Sequence, residues 1–107
     1  MQQLQKTFDG SPIRVKELNG MLCVRAEDIA RAIGYDHTGS YVRIVKDKYV
    51  RKVHVDARGR TLTYIEEPGL WQSLGSTRKE AAEPFQEWLY EECLPEIRKT
   101  GSYNAAD

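Results

Sequence analysis

An apolar stripe near the C-terminus constrains this chain more than any other feature. Phe85, Trp88, Leu89 and Cys93 fall at i, i+3, i+4 and i+8, so they share one side of a helix, while Gln86, Glu87, Tyr90 and Glu91 lie largely off it. Such a helix has to dock on another apolar layer. Leu94 and Pro95 then predict an interruption, because the residue before a proline is pushed out of the helical region. Ile97, Arg98, Lys99, Thr100 and Gly101 read as one further turn closed by glycine.

Upstream segments supply the layer. Residues 1–6 are polar and glutamine-rich and read as a frayed terminus. Asp9 and Gly10 signal a turn, Ile13, Val15 and Leu18 are spaced for a strand, and Asn19 and Gly20 form a strong hairpin signal before Met21, Leu22, Cys23 and Val24. Residues 27–33 predict a short helix: Ile29, Ala30 and Ile33 share a face, Glu27 and Asp28 suit the first turn, and Gly34 suits a left-handed stop. A polar connection at 36–40 leads to a second short helix marked by Tyr41, Val42 and Val45. The pair mimics a helix-turn-helix, but the connection is longer than the three or four residues usual there.

Alternation returns from Tyr49: Val53 and Val55 face one way, Lys52, His54 and Asp56 the other, with a loop at 57–60 and Leu62 and Tyr64 on the return strand. Residues 66–74 predict a helix with Pro68 near its first position and Leu70, Trp71 and Leu74 on its apolar side. Thr77 and Glu80 have capping-box spacing for the final helix, and Pro84 is tolerated in its first turn. The order of elements predicts an α+β fold: two β-hairpins combined with several short helices and a longer C-terminal helix.

The segment at 85–103, with its Leu94, Pro95, Ile97, Arg98, Lys99, Gly101 and Tyr103, resembles the end of a Bro-N domain. Phe8, Arg14, Val24, Asp28, Ile29, Ile33, Gly34 and Tyr35 match that family's opening, and Glu67, Gly69, Leu70 and Trp71 match its Glu-Ser-Gly-Leu-Tyr segment. Pro68 stands for the usual serine and Trp71 for the usual tyrosine; both suit a helix start and a buried ring. The resemblance covers roughly 5–103. It implies the N-terminal domain of baculovirus repeated-ORF proteins and of phage or prophage antirepressors, and with it double-stranded DNA binding. On this reading 1–6 is a flexible N-terminus, 7–103 the domain and 104–107 a C-terminal tail.

At 107 residues with 40% apolar and 30% charged positions, the chain is long enough to bury about two thirds of its unfolded surface as one domain. Cys23 and Cys93 read as small buried residues, with neither a CxxC nor a Cys/His cluster to hold a metal, so no cofactor is expected. The absence of an apolar signal or spanning segment points to a reduced compartment, the cytoplasm of a bacterial host or the nucleus for a eukaryotic virus, and to no membrane partner.

The 16 basic and 16 acidic residues cancel, whereas many DNA-binding domains are basic. Their distribution is uneven. Residues 43–60 carry seven basic side chains against Asp47 and Asp56, and residues 61–107 carry four basic against nine acidic. The chain is thus polarised, with a basic and an acidic side if the fold keeps the segments apart.

Candidate DNA contacts are therefore Arg51, Lys52, Arg58 and Arg60 on the second hairpin, widened by Arg43, Lys46 and Lys48 on the preceding helix. The bland alternative is charge placed for solubility and edge protection. Thr38, Ser40 and Arg43 offer a helix-turn-helix alternative, and Arg98 and Lys99 suit either phosphate or the helix dipole. His37 and His54 have no nucleophile or carboxylate at motif spacing, so no enzyme activity is expected. Glu66 and Glu67 read as helix-start residues, and Trp71 and Trp88 as core anchors rather than base-stacking platforms. A module that binds a repressor or another protein without touching DNA is the competing reading, favoured by the neutral total and the acidic final helix. A homodimer is a further possibility, as is a dimerisation unit serving a separate effector domain.

Overall fold

Two tight turns start the sheet. Asp9 and Gly10, then Asn19 and Gly20, all have positive φ (51°, 82°, 51° and 81°), the left-handed pair that a two-residue hairpin turn requires to match strand twist. They link β1 (Gln3–Phe8), β2 (Ser11–Leu18) and β3 (Met21–Arg25) into an antiparallel meander. The computed structural model describes residues 3–95, with side chains from Lys6 onward. The expected turn at 97–101, with Arg98 and Lys99, and the tail at 104–107 lie outside those residues. Residues 3–6 differ from the frayed terminus expected of them: they extend the edge strand, Lys6 opposite Ile13 and Leu4 opposite Val15. Backbone hydrogen bonds hold such a strand whatever its side-chain polarity.

The second hairpin, β4 (Val50–His54) and β5 (Thr61–Glu66), joins through β5, giving the order β1-β2-β3-β5-β4 in a five-stranded antiparallel sheet. Register aligns Val15, Val24, Ile65 and Val50 across four strands, and that face carries the core. Ile13, Val15, Leu22, Val24 and Ile65 form one cluster with the buried side chains of α1 (Ala26–Ile33), α2 (Thr38–Val42), α3 (Glu67–Ser76) and α4 (Ala82–Trp88). The architecture is α+β in two layers, with the helices on one face of the sheet. The expected stripe is realised, since Phe85, Leu89 and Cys93 are all fully buried. Phe8 packs edge-on to Phe85 at 5.1 Å and against Trp88 at 5.3 Å, so α4 lies over the β1 edge.

Where β3 leaves the sheet to become α1, its neighbour β2 loses a partner. Asp28 replaces it: the carboxylate accepts the Arg14 backbone N–H at 2.8 Å and both Arg14 Nε and Nη2 at 2.9 and 2.7 Å, with Arg31 Nη2 at 2.7 Å. Asp28 is fully buried, so it stitches helix to strand rather than only decorating a first turn.

Several local expectations yield to packing. α2 begins at Thr38, which shortens its connection from α1 to the four residues 34–37. Tyr41 on α2 is fully buried and hydrogen-bonded to Ser73 on α3 at 2.7 Å, which fixes the early start. Thr77 does not cap α4, whose N-cap is Ala81 without a side-chain bond. Its hydroxyl instead accepts from Lys79 N–H at 3.3 Å and pairs with the Tyr35 hydroxyl at 2.8 Å. Beyond α4 the helix widens into a π-helical turn, Leu89–Cys93, and Leu94 keeps helical angles of −69° and −41° despite the following proline. Leu94 is 1% exposed, and its burial overrides the local preference.

Gly69 marks the closest approach between layers. A Cβ there would sit 2.6 Å from Tyr49 Cβ and 3.0 Å from Ile65 Cγ2, neither at the end of a flexible side chain. Gly69→Ala is expected to destabilise the domain by about 1–3 kcal/mol through overpacking, read as a lowered midpoint in urea with an unchanged slope.

Candidate nucleic-acid interface

β4 is an edge strand, and most of the candidate cations line it. Arg43 is exposed just past the end of α2, and Lys46 and Lys48 are exposed around a 3-10 turn, Asp47–Tyr49, that feeds β4. The expected helix face for these three is therefore replaced by a lead-in loop, because α2 ends at Val42. Gln72 on α3 holds this loop, accepting Lys46 N–H at 3.0 Å and donating to the Ile44 carbonyl at 2.9 Å. The Lys48 ammonium sits 5.2 Å from the centre of the Tyr49 ring.

Along the strand, neighbouring side chains part company. Lys52 is exposed on the helix side of the sheet with His54, whereas Arg51 points to the other side and binds Glu66 at 2.5 Å. Arg51 thus differs from the other six: it arrives already paired and only 35% exposed. At the tip, Asp56 shapes the loop by accepting the N–H groups of Arg58 and Arg60 at 3.0 and 3.2 Å. Both arginine side chains remain exposed, Arg60 by 74%, with only a 3.5 Å contact to Asp56. β4 itself, five residues at roughly 3.3 Å each, runs about 16 Å, comparable to some five base pairs of duplex.

The other face of the sheet holds basic residues that the sequence reading passed over. The register lines up Arg25, Tyr64 and Arg51 in one row and Lys16, Cys23 and Glu66 in the next, with Arg14 on β2 on the same face. The apolar side chains buried by the helices all belong to the opposite face. Lys16 extends its ammonium to 5.9 Å from the Tyr64 ring centre, and Arg25 Nε lies 3.6 Å from Glu27. The available signal was period two: basic residues at 14 and 16 on one strand, with 25 falling into register on the next. Beneath them Cys23 is fully buried. Burial first, and then the Glu66 carboxylate, push its thiol up to about 12 against the opposing effect of Arg51, so it stays protonated and unreactive at neutral pH.

The helix-turn-helix alternative gains little from the geometry. α2 has five residues, its Tyr41 faces inward, and Thr38 and Ser40 are half-buried, leaving only Arg43 exposed. Trp71 and Trp88 are partly buried against the core, as expected of anchors. Among the described residues no three His, Cys, Asp or Glu side chains are placed to hold a metal, and no helix is long and apolar enough to cross a membrane.

The charge polarity of the sequence survives folding. The cations follow the β4 edge, while α4, with exposed Glu83 and Glu87, lies over β1 at the opposite edge. At about 4.8 Å per strand the two edges are roughly 19 Å apart.

This two-layer architecture with a basic edge coincides with a match to the BRO family N-terminal domain, Bro-N, over residues 12–95. The chain belongs to the Bro-N family. It is 33% identical to an uncharacterized protein of Haemophilus influenzae over 100 residues, covering 90% of this chain and 50% of the relative. Shorter stretches of 41 and 40 residues, 38% and 37% of this chain, are 51% and 50% identical to proteins 201R of Invertebrate iridescent virus 6 and 019R of Invertebrate iridescent virus 3. Both are named for a Bro-N domain, and the matched stretch is 10% of each. The chain therefore spans about half the length of the bacterial relative and far less of the viral ones. None of these names carries an activity. No solved structure matches the chain.

Proposed function

We propose that this Bro-N domain is a non-enzymatic module that binds double-stranded DNA, within a phage, prophage or viral regulator of the antirepressor kind. One observation carries the reading: Arg43, Lys46, Lys48, Lys52, Arg58 and Arg60 are all exposed along a single edge strand and its lead-in, with Asp47 and Asp56 the only acidic residues of that segment. Lysine and arginine in a row of this length displace condensed counterions from the phosphate backbone, and a two-stranded ribbon fits a major groove. Lys16 on the open sheet face adds positive charge, while Arg14, Arg25 and Arg51 contribute less because Asp28, Glu27 and Glu66 already hold them.

Fluorescence anisotropy with a mixed-sequence duplex across a salt series tests the proposal. With four to six phosphates neutralised, the log-log salt slope is expected at about −4 to −5. A flat response, or equal affinity for a single strand, would remove duplex binding from consideration. The acidic surface of α4 favours a second reading, in which the domain also or instead meets a protein partner such as a repressor. Partner capture that survives nuclease treatment, with no duplex binding at low salt, is the result that reading expects.

A further inference from the structure

On the acidic side, the N-terminal half of α3 and the end of α4 with its π-helical turn border a hollow that the DNA reading does not use. Glu67, Trp71, Gln86 and Tyr90 line it, with a volume of about 390 Å³. A second hollow of about 320 Å³, lined by Glu83, Gln86, Glu87, Tyr90 and Glu91, adjoins it through Gln86 and Tyr90. Tyr90 is 70% exposed, by far the most exposed large apolar side chain among the described residues, and it stands on the π-helical turn. Trp71 meets it edge-to-face at 6.4 Å, and Trp71 Nε1 donates to Glu67 at 3.4 Å, which sets the indole plane.

We propose that this double hollow is a docking site for a basic segment of a partner protein, with two neighbouring arginines entering the two hollows on either side of Tyr90. Charge complementarity selects the occupant. Among the described residues four carboxylates line the two hollows and no cation does, a lining that disfavours phosphate, nucleic acid and acidic lipid. An aromatic face attracts a cation through its quadrupole, and a guanidinium can stack on a ring while its edge bonds a carboxylate, which an ammonium does less well. A π-helical turn is a recurrent way to present one side chain at a functional surface. The inference does not rest on DNA binding, since none of the six exposed cations at 43–60 lines either hollow.

The test is a ¹H–¹⁵N NMR titration of the whole chain with the capped peptide acetyl-Gly-Arg-Arg-Gly-amide, alongside its dilysine and diglutamate counterparts. The expected result is a saturable shift of the Trp71 indole N–H and the backbone amides of Gln86 and Tyr90, with the Trp88 indole unmoved. The diarginine peptide should bind more tightly than the dilysine one, and the diglutamate peptide should not bind. Tyr90→Ala and the pair Glu87→Lys with Glu91→Lys should each weaken binding at least tenfold; all three side chains are exposed, and an unchanged spectrum elsewhere verifies folding. No saturable shift at millimolar peptide, or equal binding by the Tyr90→Ala variant, would overturn the assignment. So would shifts that depend on protein concentration without peptide and vanish in the Arg58→Glu, Arg60→Glu variant, which would hand the cleft to a second copy of this chain.

Discussion

Asp28→Ala is expected to cost about 3–5 kcal/mol of stability, the range for breaking a buried ion pair by removing one partner. The substitution would leave the Arg14 backbone N–H and guanidinium without the acceptor that now takes 2.7–2.9 Å hydrogen bonds from both. For a domain of this size, thermal unfolding should shift down by roughly 15–25 °C. Asp28→Asn retains an acceptor oxygen for the N–H and should cost less than the alanine change, whereas equal losses would mean that the charge alone matters. Burial pushes the Asp28 carboxyl up, but hydrogen bonds from Arg14 and Arg31 outweigh it and hold the group below its usual range. The folded pKa is thus depressed. Its stabilisation is present above the unfolded value of about 3.9 and is lost as pH falls through the folded value. The alanine variant should therefore show a weaker loss of stability below about pH 4 than the parent chain.

Reversing the hairpin tip is the largest functional change expected. Arg58→Glu with Arg60→Glu should weaken duplex binding roughly 100-fold at 0.1 M salt, because each lost phosphate contact forfeits about a tenfold counterion term there. The salt slope should fall by about 2, to between −2 and −3. Both side chains are exposed and make no contact with the core, so the melting curve should stay within about 0.5 kcal/mol of the parent. The backbone bonds from residues 58 and 60 to Asp56 survive the change, which preserves the loop. Unchanged affinity and slope in a folded variant would move the interface off the ribbon, and Lys16→Glu would then test the open sheet face.

Sequence legibility followed the range of the forces involved. The Asn19 and Gly20 turn, the Gly34 stop and the Phe85, Leu89, Cys93 stripe are written in neighbouring residues, and each is found where local rules place it. The first strand escaped notice because an edge strand needs backbone partners more than apolar side chains. The α2 start and the Leu94 conformation escaped because Tyr41 and Leu94 are held by burial from other elements. Thr77 showed capping-box spacing, yet Tyr35, 42 positions away, engages its hydroxyl.

The same division governs the candidate interface. The sequence alone determined that 43–60 concentrates positive charge and that the last helix is acidic outside its apolar stripe, since charge and period are properties of the linear order. Which of those cations stand in the open depended on how the strands paired and the helices packed. Strand pairing placed Lys52 and Arg51 on opposite faces and set Arg51 beside Glu66, and the β3 to α1 transition consumed Arg14 by burying Asp28 against it. The tertiary structure also assembled Lys16 and Arg25 with Tyr64 on one face, and Trp71 with Tyr90 in one hollow. These groups come from segments far apart in the chain. Their meeting depends on register and on which layer each element buries, quantities that exist only once the sheet and helices have packed.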